Sequence, residues 1–247
     1  MDVEGTYLLC TNCSSVQVAN PTWLDRAHSK AISALDTGLV TRSISASNLV
    51  STILFFEGKK QSTGLDWGGG TGLLARLLRD NGFVVQTYDK FAEAIHAEGF
   101  VIKKDELDTK LTFLTSIECF EHLVSPYDSY INSTSNKDYF FFTTETINNP
   151  PPDPASDFWW YFLPETGQHI TFASKKGIKH FKDRLGFSYY FEFGSLHVMS
   201  RKKLKLTTRL FLRTRFLRIL ALTFIPKILQ TRYSLTESDK SYLISCL

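Results

Sequence analysis

Residues 64–78 read GLDWGGGTGLLARLL: five glycines crowd around Asp66 and give way to a leucine-rich helical pattern. Glycine at a strand-to-helix turn lets the backbone take positive φ and approach a ligand closely, while the helix behind it offers free N–H groups. Proton transfer near neutral pH turns first to histidine. The chain has six: His28, His96, His122, His169, His180 and His197. His96 and His180 fall among charged residues in predicted helices and read as surface, and His197 falls in a predicted terminal hairpin. His122 and His169 fall where the chain leaves the carboxyl side of a predicted sheet, His122 directly after Glu121. For each histidine a hydrogen-bonded structural role is the alternative to catalysis.

The elements that must position these residues follow from periodicity and breakers. A turn segment around the Cys10/Cys13 pair spans 7–20, and WLDRAHSKAISAL and SISASNLVSTILFF over 23–56 read as helical with a break at Gly38. A strand over 64–67 enters the glycines, and a helix runs from them to Asn81, stopped by Gly82. Then come the strand VVQTYD, a short helix KFAEAIHAEG, a third strand FVIKKD, a fourth LTFLTSIECF, a helix PYDSYINSTS and a fifth strand DYFFFTTETI. This alternation predicts an α/β fold, a Rossmann-like, mostly parallel sheet with helices on both faces and its ligand crevice at the carboxyl ends of the strands. A Pro- and aromatic-rich loop, NNPPPDPASDFWWYFLPETGQH, precedes a helix SKKGIKHFKDRLG and alternating residues that predict a closing antiparallel hairpin. The chain divides into an N-terminal Cys-pair and helical segment 1–56, a core 57–203 and a basic helical tail 204–247.

Two cofactor classes use a loop of this kind. As Asp66-x-Gly68-x-Gly70-x-Gly72 it is the methyl-donor loop of S-adenosylmethionine enzymes; as Gly70-x-Gly72-x-x-Ala75 it matches the dinucleotide fingerprint. Asp89, at the end of the second strand, stands where either class places an acid for ribose hydroxyls. Asp66 favours the methyl donor, because an acid there can hold the cationic amino-acid end of that ligand but repels a pyrophosphate. Its alternative is a turn cap.

Together GLDWGGGTG, YDKF, TSIECFEHLVSP, LPETGQHITFAS and the opening YLLCTNCSSVQVANP resemble a bacterial-type group of class I S-adenosylmethionine-dependent methyltransferases, many of them modifying sugars, polysaccharides or small metabolites. The resemblance covers Tyr7 to Lys203. It implies that Gly68, Gly70 and Gly72 line the donor, that Asp89 takes the ribose hydroxyls, that Asp105 sits by the adenine and that Glu118 borders the donor after the fourth strand. Trp67 and Phe91 flank the ligand or belong to the core. Relatives often carry two CxxC pairs forming a four-thiolate zinc site. Here only Cys10 and Cys13 stand in that place, with Cys119 in a predicted strand and Cys246 at the far end, so no metal site is expected. The acceptor's proton is assigned to His169 as general base, with Glu121 and His122 shaping the pocket or sharing the proton.

Composition agrees. Hydrophobic residues at 43%, charged residues at 21% and a net charge of +3 suit a globular protein and give no reason to expect nucleic acid as a partner. MDVEGTYLLCTNC has no signal-peptide pattern and Ile219–Pro226 is too short to span a bilayer, so a cytoplasmic location is expected. Ten basic residues and no acid lie between Arg201 and Arg232. They spread around a helix, which favours a solvated, partly buried tail over peripheral membrane contact. The aromatic run Phe158–Phe162 walls an acceptor pocket or packs in a core. The expected function is methyl transfer from S-adenosylmethionine to a small-molecule or glycan acceptor. A nicotinamide-dependent oxidoreductase and a binding protein that keeps the fold without turnover are its rivals.

Overall fold

The computed structural model describes residues 5–28, 36–148, 159–163 and 166–246. Parts of the first predicted helical segment (29–35) and of the Pro-rich loop (149–158 and 164–165) lie outside them.

Apolar runs bounded by turns form the central strands. β3 (Thr63–Trp67), β4 (Val84–Tyr88), β5 (Phe113–Ser116) and β6 (Tyr139–Thr143) are parallel, and the hairpin β8 (Tyr189–Phe193) and β9 (Leu196–Ser200) joins antiparallel, in the order β4-β3-β5-β6-β9-β8. β5 and β6 are buried along their whole length, as strands covered on both faces must be. Their side chains alternate between two cores. Phe113, Tyr139, Phe141 and Val198 face one layer, made with α2 (Leu39–Phe56), α3 (Leu73–Asp80) and α7 (Arg215–Tyr233). Leu114, Phe140, Phe142 and Met199 face the other, near α4 (Pro126–Thr134) and α5 (Lys175–Arg184). Thus the predicted sheet, its hairpin and helices on both faces are all present.

Two predicted elements are not formed as expected. KFAEAIHAEG is a series of turns, because the His96 amide donates to Thr71 O at 2.9 Å instead of continuing a helix. The third strand shrinks to a single parallel bridge between Thr87 and Val101. Thr87 N donates to Phe100 O and Ile102 N to Thr87 O, and the chain then leaves the sheet edge.

The N-terminal segment is built into the molecule. β1 (Tyr7–Leu9) and β2 (Val16–Val18) form a hairpin that extends through β7 (Thr171–Phe172), so the Cys10–Cys13 turn sits on a three-stranded sheet. α2 has the length and hydropathy of a membrane-crossing helix, yet Val50, Ile53 and Leu54 are fully buried against the protein's own core. At the other end, α6 (Leu206–Arg213) and α7 add Phe211, Leu212, Ile225 and Leu229 to the same core. α8 (Thr236–Ser245) is pinned by Asp239, which accepts from Arg79 Nε at 2.7 Å.

Candidate active site

The ends of β3, β4 and β5 lie side by side, with Asp66 in register with Thr87 and Thr115. At these ends opens a cavity of about 1260 Å³ that runs from the glycine turn to His122 and His169. Gly68 and Gly70 line it at φ +68 and +55, in the left-handed region that favours glycine. A Cβ on Gly69 would lie 2.5 Å from Asp66 Oδ2, so the bare backbone is what lets this turn close over the buried acid. Gly72, also at positive φ, caps α3 and is not on the cavity wall. Its missing side chain makes room for Ala97, whose Cβ would be 2.8 Å from a Cβ at Gly72.

Asp66 is buried at the end of β3. Oδ1 accepts from Thr115 Oγ1 at 2.8 Å, and Oδ2 has no hydrogen-bond partner. Burial pushes its pKa up to about 7; Thr115's hydroxyl opposes the rise and Asp89 adds to it. A carboxylate so placed suits a cationic ligand group against its open oxygen. Asp89 Oδ2 accepts the Gly70 amide at 2.9 Å, and Oδ1 accepts those of Phe91 and Ala92 at 2.7 and 2.9 Å. It therefore holds the glycine turn in shape as well as facing the cavity. Asp105 lies exposed on a short 3-10 turn at the cavity's edge. These groups fit a cationic, adenosine-bearing ligand: an acid with an open oxygen, bare amides and a second acid one strand over.

β5 ends at Ser116, earlier than the sequence suggested, so Cys119 lies past the strand. Its thiol lines the cavity against Gly68, where a Cβ would meet Sγ at 2.5 Å. Burial pushes that thiol up to about 12, which removes it as a nucleophile at neutral pH. Glu118 has φ +54, accepts from Thr143 Oγ1 at 2.9 Å and pairs with Arg42 Nε at 3.2 Å. It lines the cavity already partnered. Trp67 and Phe91 both reach the wall, while Trp67 also packs edge-on against Tyr130 at 4.9 Å.

Glu121, His122 and His169 come together at the other end. Glu121 and His122 follow β5 on one 3-10 turn, His169 precedes β7, and the Ile170 amide bonds Glu121 O at 2.8 Å to join the two segments. His122 Nδ1 lies 3.0 Å from Gln168 O and His169 Nδ1 2.6 Å from Tyr161 O, with the two rings edge-on at 4.9 Å. Burial lowers both imidazoles, His122 to about 3 and His169 to about 4, and raises Glu121 to about 8 with Glu118 adding repulsion. His28 stacks on Phe91 and meets His122 edge-on at the cavity wall, a placement its sequence neighbours do not signal. His96 and His180 are exposed. His197 is buried between Tyr190 Oη at 2.7 Å and Thr144 O at 3.0 Å and serves the hairpin.

From the aromatic run, Trp160 and Tyr161 line the cavity, whereas Trp159 and Phe162 pack on Phe172; Phe158 lies outside the described residues. Cys10 is exposed and Cys13 half-buried in the β1–β2 turn, where Cys13 Sγ donates to Ser15 Oγ at 3.2 Å.

A parallel sheet with a glycine turn between β3 and α3 and an acid closing β4 defines a Rossmann-like, adenosine-cofactor protein. The sequence profile of a family described as "Methyltransferase domain" matches residues 43–190, which include the whole glycine turn and the Glu118–His122 segment. The chain belongs to that family and is a class I S-adenosylmethionine-dependent methyltransferase, with S-adenosylmethionine as methyl donor. This sets aside the nicotinamide alternative.

Among solved structures, it is similar to a 1,6-didemethyltoxoflavin-N1-methyltransferase from Burkholderia thailandensis (14% identity, 82% of this chain and 100% of that one, TM-score 0.50). An O-methyltransferase family protein from the same organism matches at 14% identity over 74% of this chain and 59% of that one, TM-score 0.50. A possible histamine N-methyltransferase from Thermotoga maritima gives 14%, 67%, 92% and 0.46 in the same order. At such identities the likeness is one of fold. Comparison with curated proteins finds no match.

Proposed function

We propose that this enzyme methylates a polar small molecule or glycan in the cytoplasm, with the acceptor held between the glycine turn and the Glu121–His122–His169 cluster. The carrying observation is that one cavity joins the buried, half-partnered Asp66 to that cluster. The donor supplies a methyl group on a sulfonium, and the protein's task is to align the acceptor with it and accept the acceptor's proton. Both Nδ1 atoms face carbonyl oxygens, which only accept, so Nδ1 carries the hydrogen and Nε2 of His169 offers its lone pair. Burial makes His169 a weak base on its own, and the hydrogen bond from its Nδ1 to the Tyr161 carbonyl offsets part of that loss by favouring the imidazolium that proton uptake creates. Trp160, 59% exposed on the cavity wall, offers a ring face of the kind that receives the apolar side of a sugar.

The test begins with calorimetric titration of S-adenosylmethionine into wild type and Asp89→Ala, with NADH as control, followed by a screen of sugar nucleotides and small polyols for methylated product. Donor binding weakened by Asp89→Ala, product formation, and loss of turnover in His169→Ala are expected. NADH binding in place of the donor, or full turnover in His169→Ala, would overturn the assignments.

We further propose that the outer face of α6–α7 rests on an anionic lipid surface. Phe216, Leu220, Phe224 and Ile228 recur every four residues on the exposed side of α7, with exposures of 68, 40, 57 and 40%. The opposite side packs into the core through Ile225 and Leu229. Arg213, Arg215, Lys227 and Arg232 are exposed around this apolar stripe, the composition of a helix lying in a lipid interface. Co-sedimentation with phosphatidylglycerol-containing vesicles, weak with phosphatidylcholine alone and lost in Phe216→Ser/Phe224→Ser, is expected. A concentration-dependent dimer abolished by the same substitutions, without vesicle binding, would assign the face to a second copy instead.

A further inference from the structure

Glu121 presents a problem that the protein alone leaves unsolved. Its side chain is fully buried, neither carboxylate oxygen has a hydrogen-bond partner of good geometry, and the nearby Tyr161 hydroxyl offsets only part of the cost of that burial. A buried carboxylate without a donor is strongly unfavourable unless it takes a proton or meets a cation. The imidazoles beside it do not supply the donor. Each spends its one N–H, at Nδ1, on a backbone carbonyl, His122 on Gln168 and His169 on Tyr161, and so keeps a lone pair at Nε2. Both rings and the carboxyl group thus offer a ligand atom to the same small space.

From this geometry we infer that Glu121, His122 and His169 bind a divalent transition-metal ion at the acceptor end of the cavity. One ligand atom from each lies within 4.8 Å of the others, and among the described residues no other group of three His, Cys, Asp or Glu does so. Metal-binding histidines characteristically donate their second nitrogen to a carbonyl or carboxylate, as both do here. Bond lengths of about 2.0–2.2 Å bring ligand atoms to roughly 3 Å of one another, so the turn after β5 and the loop before β7 draw in slightly when the ion binds. Two imidazoles and one carboxylate suit Zn²⁺, Co²⁺, Fe²⁺ or Mn²⁺, and occupy only one side of the ion. The other side faces the cavity and is open to an acceptor oxygen. Glu118 stays outside the set, since it is held by Thr143 and Arg42. Cys10 and Cys13 lie elsewhere, on the β1–β2 turn.

This deepens the proposed function, with the ion replacing His169 as the group that promotes loss of the acceptor's proton, and rests on it only for the ion's role. A metal-bound acceptor hydroxyl loses its proton more readily, and that proton passes to water at the open mouth. The oxygen lone pair then forms the new O–C bond as the donor's C–S bond breaks, leaving a thioether. His169 becomes a ligand that fixes the acceptor's place, and no longer takes the proton itself.

The test strips the full-length protein with a chelator and reloads it with Co²⁺ or Zn²⁺, reading metal content by mass spectrometry and the Co²⁺ visible spectrum. S-adenosylmethionine titrations on the same samples report folding of the glycine end. One ion per chain is expected, unaffected by Cys10→Ser/Cys13→Ser. Glu121→Gln, which keeps the shape, and His169→Ala should weaken it by more than about 100-fold, beyond the 10–100-fold typical of outer-sphere partners. Metal that fails to bind, or that is lost with the cysteines and kept by Glu121→Gln, overturns the inference while leaving donor binding intact. Loss of donor binding with metal retained would instead overturn the proposed function alone.

Discussion

Asp66 makes a sharp prediction about how donor binding depends on pH. In the unliganded protein, burial raises its pKa to about 7, well above the ordinary aspartate range. At pH 6 the carboxyl is then roughly nine-tenths protonated, and at pH 8 roughly nine-tenths ionised. A cationic ligand end against the open Oδ2 favours the ionised form, so binding at pH 6 should release close to one proton. Affinity should climb about tenfold per pH unit toward 7 and then level off. Titrations in two buffers of different ionisation enthalpy read the proton directly, and Asp66→Asn should abolish both the release and the pH slope. The same residue sets a stability trend of opposite sense. A carboxyl whose folded pKa lies above its unfolded one keeps a proton that the unfolded chain loses, so stability falls as pH rises from about 4 to about 7, by a few kcal/mol at most. Asp66→Asn should lack that fall, and denaturant melts at pH 5 and pH 8 would show it. A dissociation constant flat from pH 5.5 to 7, with no buffer dependence, would refute the assignment of Asp66 to the donor's cationic end.

Two further substitutions probe how the site is supported. Asp239 accepts from Arg79 Nε and Nη2 at 2.7 and 2.5 Å and pairs with Arg76 at 2.8 Å, while Arg79 is buried over Phe100. Asp239→Ala strands that guanidinium and should cost about 3–5 kcal/mol in chemical denaturation, with little change in donor affinity for the folded fraction. Gly72→Ala combines φ +77 with a Cβ 2.8 Å from Ala97, and should cost about 1–3 kcal/mol in stability. Unchanged thermal melting in Gly72→Ala would show that the 94–97 segment yields more easily than its packing implies.

Much of the scaffold was legible because its signals are local. The apolar runs of β3–β6, the Ser125-Pro126 start of α4 and the Ser174 cap of α5 each announce an element within a few residues. What failed were elements decided by distant partners. FVIKKD has a strand's composition but meets the sheet at one bridge, and KFAEAIHAEG has a helix's pattern but gives its His96 amide to Thr71. The site divides in the same way. Element ends were enough to bring Glu121, His122 and His169 to one mouth. No spacing rule reveals that Gln168 and Tyr161 carbonyls fix the imidazole hydrogens, that Gly72 packs instead of lining the cavity, or that His28 joins its wall.

The division has a physical consequence for how the enzyme works. Asp66 and Glu121 are both buried carboxylates with unpartnered oxygens, and they stand on the wall of the same cavity. Among the described residues the other buried acids are satisfied: Glu57 accepts from Tyr139 and the Lys205 amide, and Asp239 from two arginines. Among the buried carboxylates of the described residues, incomplete satisfaction is thus confined to the cavity wall, which is where a fold retains unfavourable polar burial when binding relieves it. The two acids are relieved by different cations in this scheme, Asp66 by the donor and Glu121 by a metal ion. Filling one end should therefore lower the electrostatic cost of the other only weakly, and donor affinity in metal-loaded and stripped protein should differ by less than about fivefold, below the usual range of allosteric coupling.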